Sequence, residues 1–302
     1  MRRSSIALYA ILFFVIVISS VSSSCSRRLV PGSFTFAFIT DIHLQQEAGA
    51  VHGLNKVIDT INYLNPGFVI AGGDQIMGAR GQRYGRADSL YRLYQETAGA
   101  LKMPVYTALG NHEKYALFGR NSADRDHPEY GEKMYEKRLG PPYYSFSHNG
   151  WKFMILSSVW NAGDDRYVGL VDREQIEWIR EELKKTDPAT PIVVTTHIPF
   201  ITVFTQRFRG STLANDSSVV VSNSLEVLEL FRHHNLRLVL QGHLHIVEDI
   251  KIGNTQFITG GAVSGSWWRG PARGFEEGFV LVTIVGREIE WKYIDYGWDA
   301  RK

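Results

Sequence analysis

Five short polar motifs punctuate the chain in a fixed order, and each closes a run of apolar, often β-branched residues. They are Asp41-Ile42-His43, Gly73-Asp74, Gly110-Asn111-His112-Glu113, Thr195-Thr196-His197 and Gly242-His243-Leu244-His245. The runs before them, residues 34–40, 68–72, 105–109, 191–196 and 236–241, read as buried strands. Side chains at the carboxyl ends of neighbouring strands converge, so ligands far apart in sequence can meet there. Two Asp, one Asn and five His gathered in that way form the donor inventory of a two-metal hydrolytic centre.

Between the motifs the chain alternates strand and helix patterns. Leu54, Val57, Ile58, Ile61 and Leu64 predict a helix over residues 53–64, stopped by Pro66-Gly67. A second helix is expected over 86–101, with Pro104 opening the next strand, and residues 114–138 read as an excursion over the site. Strands 143–147 and 152–157 flank His148-Asn149-Gly150, whose Asn-Gly is a hairpin signal. Ile176, Ile179 and Leu183 place a helix over 172–185, and another is expected over 220–233. The tail reads as strands 256–260, 278–285 and 288–294. A parallel first half followed by antiparallel strands predicts two facing mixed sheets with helices outside.

Residues 1–24 read as a leader rather than as part of the fold. Arg2-Arg3 precede an almost wholly apolar stretch, residues 6–18, too short to span a bilayer, and a Ser-rich segment then leads to Cys25. Cys25 is the chain's only cysteine, and its position after Ser23-Ser24 predicts a bacterial lipoprotein, exported and lipid-anchored in the cell envelope, facing the periplasm or exterior. Ser22 departs from the usual lipoprotein box, and cleavage by an ordinary signal peptidase near Ser24 stays open. Residues 25–33 form a short linker and 34–302 a single domain. The chain carries 33 Lys and Arg against 31 Asp and Glu, and two of the arginines lie in the leader. Such balance argues against a nucleic-acid partner held by bulk electrostatics. The membrane is approached only through the lipid at Cys25.

The ordered motifs resemble the calcineurin-like metallophosphoesterase superfamily, whose pattern runs D-x-H, G-D, G-N-H-[DE], H and G-H-x-H. The resemblance spans Asp41 to His245 and implies an α/β fold, a four-layer α/β/β/α sandwich of two mixed sheets flanked by helices. It implies that Asp41, His43, Asp74 and His245 hold one metal ion, and that Asp74, Asn111, His197 and His243 hold a second, with Asp74 shared. With no thiolate in the set, the ions would be Mn, Fe, Zn or Co. The pair would activate a bridging water for in-line attack on phosphorus. His112, beside a ligand, is the candidate catalytic group at the leaving oxygen. Glu113 and Asp41 are placed to orient the imidazoles.

Met77 stands where purple acid phosphatases carry a Tyr ligand, and Gln75-Ile76-Met77-Gly78 departs from the protein Ser/Thr phosphatase motif. What remains is similar to the bacterial phosphodiesterase-like branch, acting on a small phosphoester. Trp267-Trp268-Arg269, after the last ligand strand, offers two indoles to stack on a base or sugar and a guanidinium to pair with phosphate. The rival functions are an envelope phosphomonoesterase on the same site and a metal-binding envelope protein without turnover. His52, His127, His148, His233 and His234 lack partner spacing and read as structural or solvated.

Overall fold

The strand β1 (Phe34–Ile39) is followed by α1 (Ala50–Leu64), β2 (Phe68–Ala71), α2 (Tyr84–Ala98), β3 (Val105–Thr107) and α3 (Lys133–Leu139). Next come β4 (Tyr144–His148), β5 (Trp151–Ile155), β6 (Val159–Gly163), β7 (Arg166–Gly169), α4 (Arg173–Lys184) and β8 (Pro191–Thr195). The order ends with α5 (Phe204–Phe208), α6 (Ser224–Leu230), β9 (Asn235–Gln241), β10 (Val247–Ile252), β11 (Thr255–Gly260), β12 (Gly278–Val285) and β13 (Glu288–Asp295). These elements belong to a computed structural model that describes residues 32–118, 125–163 and 165–300. The expected leader, residues 1–24, and Cys25 lie outside the described residues.

One sheet runs β13-β12-β1-β2-β3 and the other β10-β11-β9-β8-β5-β4. In the first, β1, β2 and β3 are parallel while β12 and β13 add antiparallel at the edge. The second repeats that plan, with β11, β9, β8 and β5 parallel and β10 and β4 antiparallel at its two edges. The expected division into a parallel first half and an antiparallel tail is therefore corrected. Parallel pairing occupies the middle of both sheets, because helical crossovers continue into the second half through α4 and α6.

Side-chain alternation along β1 builds the layers. Phe34, Phe36 and Phe38 point into the space between the sheets, where they meet Phe68, Trp151, Phe153, Leu238, Ile258 and Val282. Ala37 and Ile39 point the other way, against Leu54, Ile58, Leu90 and Met134 of α1, α2 and α3. On the far side, Ile176, Ile179 and Leu183 of α4 and Val227 of α6 cover Met154, Val194 and Val239. The result is the expected four-layer α/β/β/α sandwich. Phe36 and Phe68 stack at 5.0 Å and 4°, with Phe153 edge-on to Phe36 at 5.5 Å. Each such buried ring contributes on the order of 1.5–3 kcal/mol.

Several local expectations shift. The helix expected over 220–233 is confined to α6, because Val221 N donates to Pro199 O and Asn223 Nδ2 to Val171 O, fixing the preceding residues non-helically. The excursion over 114–138 ends in α3, and β6, β7, β10 and α5 add elements that periodicity left unmarked. Asp172 caps α4 by accepting from Gln175 N at 2.9 Å, an N-cap of the usual chemistry.

Candidate metal centre

The five motifs meet where the parallel strands of both sheets end. Asp41 and His43 follow β1, Asp74 follows β2, Asn111 and His112 follow β3, His197 follows β8, and His243 and His245 follow β9. Asp41, His43, Asp74, His243 and His245 all sit at positive φ, between 48° and 72°. Left-handed backbone costs a non-glycine residue on the order of 1 kcal/mol or more, and it persists only where the surroundings fix it. Here the chain turns abruptly off a strand and is held by Asp41 N to Gly73 O at 3.1 Å and His43 N to Asp74 O at 2.8 Å. Gly110 and Gly242 are obligatory for a different reason. A Cβ at Gly110 would lie 2.2 Å from Asp74 Oδ1, and one at Gly242 would lie 2.2 Å from Thr40 Oγ1 and 2.8 Å from Asp41 Oδ2.

Two outer groups of donors result, Asp41–His43–His245 and Asp74–His197–His243, and a third, His43–Asp74–His112, joins them, each with its ligand atoms within 4.8 Å of one another. His245 Nε2 stands 3.3 Å from Asp41 Oδ1 and 3.0 Å from His43 Nε2. In the second group, His197 Nε2 lies 3.2 Å from Asp74 Oδ2 and 3.2 Å from Asn111 Oδ1. His43 Nε2 is 3.7 Å from that same Asp74 oxygen, so the Asp74 carboxylate faces both groups. Asp41, His43, Asp74, Asn111, His197 and His245 are buried to the same degree as the core.

Four of the five motif imidazoles are oriented by a main-chain carbonyl; His43 is the exception, its Nδ1 buried without a hydrogen-bond partner. His197 Nδ1 donates to Gly72 O, His245 Nδ1 to Gly265 O and His112 Nδ1 to Met77 O, which turns Nε2 of all three inward. His243 is reversed: its Nε2 donates to Ser218 O at 2.9 Å, and Nδ1 is left buried with no partner. Asp41 Oδ1 is likewise buried and without a hydrogen-bond partner. Burying a carboxylate oxygen and an imidazole nitrogen unpaired is costly unless a cation completes them. These donors, oxygen and imidazole without sulfur, fit a divalent metal.

Electrostatics point the same way. Burial would push Asp41 and Asp74 up, but the surrounding histidines pull both carboxyls well below their ordinary range. Burial lowers His197, yet the Asp74 carboxylate more than offsets it and raises the imidazole to about 9. Burial and the charge of His197 take His243 down to about 4. The site thus holds ionised carboxylates that attract positive charge from whichever neighbour can carry it.

His112 belongs to the joining group, with His43 and Asp74. Its ring lies 4.5 Å from His43, edge-on, and its Nε2 is 3.8 Å from Asp74 Oδ2, while its main-chain N–H donates to Asp74 Oδ1 at 2.9 Å. Glu113 does not orient imidazoles as expected. Its carboxylate accepts the backbone N–H groups of Asp74, Ile76 and Gly110 at 2.8–3.1 Å, and so shapes the loops that carry the ligands. Burial and the nearby Asp74 push its carboxyl up to about 8.

The Trp267-Trp268-Arg269 segment divides. Trp267 is 40% exposed, with its ring 5.1 Å from His245 and 6.0 Å from His43. Trp268 is only 2% exposed; it packs on Gly53 and Trp298 and donates Nε1–H to His43 O at 3.2 Å. Successive left-handed residues turn the two indoles to opposite sides, so Trp268 supports the ligand loop and has no face for substrate. Arg269 opens instead on a cavity shared with Glu276, Glu277 and Asp299. Tyr167, which no motif marks, stands beside the centre, its ring 5.9 Å from His243. Among the remaining histidines, His148 packs edge-on to Phe34 and Phe68, and His127 lies against Tyr84.

The fold is shared with several solved structures of low sequence identity. A dimetal phosphatase from Danio rerio is 16% identical, with 86% of this chain and 95% of that one covered at a TM-score of 0.62. The purple acid phosphatase PPD1 from yellow lupin seeds is 15% identical over 86% of this chain and 51% of its own, at 0.54. GAP50, the anchor in the inner membrane complex of Plasmodium, is 15% identical over 87% and 85%, at 0.52. No curated protein matches the sequence. Residues 34–247 match the calcineurin-like phosphoesterase family; the chain belongs to that family and is a hydrolase.

Proposed function

We propose that the enzyme hydrolyses a phosphodiester at a two-metal site. In this reading Asp41, His43, Asp74 and His245 hold one divalent cation, and Asp74, Asn111, His197 and His243 hold the other. The position of Asp74 Oδ2 between His43 and His197 supports a shared carboxylate. When bound, the ions would polarise the phosphoryl group and lower the pKa of water. The protein's own share is orientation. His197, His243 and His245 are fixed by main-chain carbonyls, Glu113 fixes the turns after β2 and β3, and His112 presents Nε2 beside Asp74. We assign His112 to the leaving oxygen.

The observation that carries the diester reading is Trp267. Its exposed indole lies about one ring's width from two ligand histidines. A diester has a second substituent to lay against that face, whereas a monoester does not. With Mn present, turnover on bis-nitrophenyl phosphate should exceed that on nitrophenyl phosphate, and Trp267→Ala should raise KM selectively for the diester. A monoester preference of about tenfold, roughly 1.4 kcal/mol in the barrier, would instead make the enzyme a phosphomonoesterase. Export with a lipid on Cys25 is proposed from the leader sequence. Labelled fatty acid should enter the wild type and not Cys25→Ser; absence of lipid on the mature protein would leave a different mode of retention or secretion.

A further inference from the structure

Among the described residues nine large apolar side chains are exposed, and three of them, Val203, Phe208 and Leu213, fall in the segment 203–213 at 48%, 38% and 50%. That segment is a strapped unit built around α5. Asn215 Oδ1 accepts from Thr205 N at 3.3 Å while its Nδ2 donates to Thr202 O at 2.9 Å. Gln206 Nε2 donates to Leu213 O at 2.6 Å, and Leu213 N to Gly210 O at 3.1 Å. Phe204 roots the unit, buried with Leu244 and Ile246 on either side of His245 in the chain. Phe208, one turn further along α5, stands outside with its ring 5.3 Å from that of Phe204. Hydrogen bonds and packing thus hold these apolar groups at the surface.

The charges around them are of one sign. The Arg207 guanidinium lies over the Phe208 and Phe275 rings, 5.1 Å from each centre, and that of Arg273 lies over Phe204 at 5.1 Å. Arg209 adds a third exposed cation. Residues 188–215 include no Asp or Glu. Asp216, the next acid in the chain, is engaged by Ser218 through N–H at 2.8 Å and Oγ at 2.7 Å. Among the described residues none of the three arginines forms an ion pair. The two cation–ring contacts also bring the loop that carries Trp267 against α5, and Trp267 is itself 40% exposed. Apolar tips interleaved with unpaired guanidinium groups match the boundary of an anionic bilayer, where rings and aliphatic groups enter the acyl edge and cations stay among the phosphates. No helix among the described residues is long and apolar enough to cross a membrane, so such a contact lies on the surface.

We propose that the segment 203–213, together with Arg273, docks the domain on an anionic phospholipid surface. Val203, Phe208 and Leu213 enter the acyl boundary, and Arg207, Arg209 and Arg273 meet the lipid phosphates. The contact is additional to the anchor expected at Cys25, and it does not depend on which ester the centre hydrolyses. Its effect is orientation. A tether at the start of the chain leaves the domain free to tumble, whereas docking through α5 turns the loop of His243 and His245 toward the headgroups.

The test uses the full chain carrying Cys25→Ser, so that a single new cysteine can bear an environment-sensitive dye, at Leu213→Cys or, as a control on α6, at the exposed Leu225→Cys. Vesicles are equimolar phosphatidylglycerol and phosphatidylcholine, or phosphatidylcholine alone. The leader is common to every variant and tethers all of them alike, so differences at residue 213 report the docking segment. The dye at 213 should shift to the blue on the mixed vesicles and the dye at 225 should not, with the shift reversed in about 1 M salt. Arg207→Gln combined with Arg209→Gln should lower the docking constant about twentyfold, about fivefold for each arginine. Phe208→Ser should lower it about tenfold or more. Hydrolysis of soluble bis-nitrophenyl phosphate should stay within twofold of the parent in the double arginine variant, which separates docking from the chemistry of the centre. No shift at 213, an equal shift at 213 and 225, or a docking constant within twofold of the parent in the double arginine variant would overturn the proposal. An equal shift on phosphatidylcholine alone would overturn the part played by anionic lipid. Self-association through the patch without vesicle binding, read by light scattering, would assign it to a second copy of the chain and overturn the lipid surface.

Discussion

Gly53→Ala sets two opposed effects against each other inside α1. In an ordinary helix interior the exchange stabilises, by roughly 0.5–1 kcal/mol, because alanine loses less backbone entropy on folding. At Gly53 the added Cβ would lie 2.1 Å from Trp268 Cζ3 and 2.6 Å from Cε3. Normal carbon contacts begin near 3.5 Å, so the indole would have to retreat by more than an ångström. It is wedged against Trp298 at 5.5 Å and tied to His43 O through Nε1. Overpacking of this kind costs about 1–3 kcal/mol, and the lost hydrogen bond about 1 more. The net expectation is destabilisation by about 1–3 kcal/mol, with reduced metal affinity because His43 loses its support from below. Urea unfolding and bound Mn are the measurements. In a Trp268→Leu background, where the space is freed, Gly53→Ala should return to stabilising by the helix-propensity amount. A rise in the unfolding midpoint of Gly53→Ala alone would refute the claim that Trp268 is a support for the ligand loop.

Other perturbations separate the roles assigned at the centre. Asp74→Asn removes the charge that faces both donor groups, so bound metal should drop from about two per chain toward one or none, and activity should be largely lost; full activity after exhaustive chelation would contradict a metal centre. His112→Ala should retain its metal and lose about 10²–10⁴-fold in turnover, less on nitrophenolate esters than on poor leaving groups; loss of metal would make His112 a ligand. Away from the site, Glu182 accepts from Lys152 and Ser145, which together hold its carboxyl down to about 2 and fasten α4 to β4 and β5. Because its folded pKa lies below the ordinary 4.5, its contribution is present above that pH and is lost as pH falls toward 2. Glu182→Gln should therefore cost about 1 kcal/mol at pH 7 in this partly solvated pair and lose less stability than wild type between pH 4.5 and 2, read by thermal melts across that range.

The clustering of the candidate donors was legible in the sequence because metal chemistry limits which residues serve, and because each sits directly after a buried strand whose pattern is plain. The sandwich was legible for the same reason: Phe34, Phe36 and Phe38 alternate with Ala37 and Ile39, and only a strand covered on both faces buries all of them. Trp268 was not legible. Reading Trp267 and Trp268 as a pair assumed a common direction, whereas consecutive left-handed residues send one indole to the rim and the other under His43. Glu113 shows the converse limit, since a carboxylate beside His112 looks like an imidazole partner until the two turns whose three N–H groups it collects are placed in space. Tyr167 carries no spacing signal, for it reaches His243 only because the β6–β7 hairpin packs beside the loop after β9. The helix expected over 220–233 failed by tertiary override, as Val221 was recruited to Pro199 and Gly169.

The carbonyls that turn His197, His245, His112 and His243 belong to Gly72, Gly265, Met77 and Ser218, and they are main-chain atoms throughout. No exchange of a neighbouring side chain can delete such an acceptor, so the aim of the imidazoles is insulated from most single-base changes in the gene. Vulnerability moves to the curvature of the peptide chain itself. In a saturation scan, the intolerant positions around the centre should be the ligands and the small residues that let the chain bend there, with Gly73, Gly110 and Gly242 as unforgiving as Asp41. Polar neighbours that merely line the mouth should accept replacement freely. A lineage could therefore remodel the rim, and with it the choice of ester, while the geometry beneath is inherited intact.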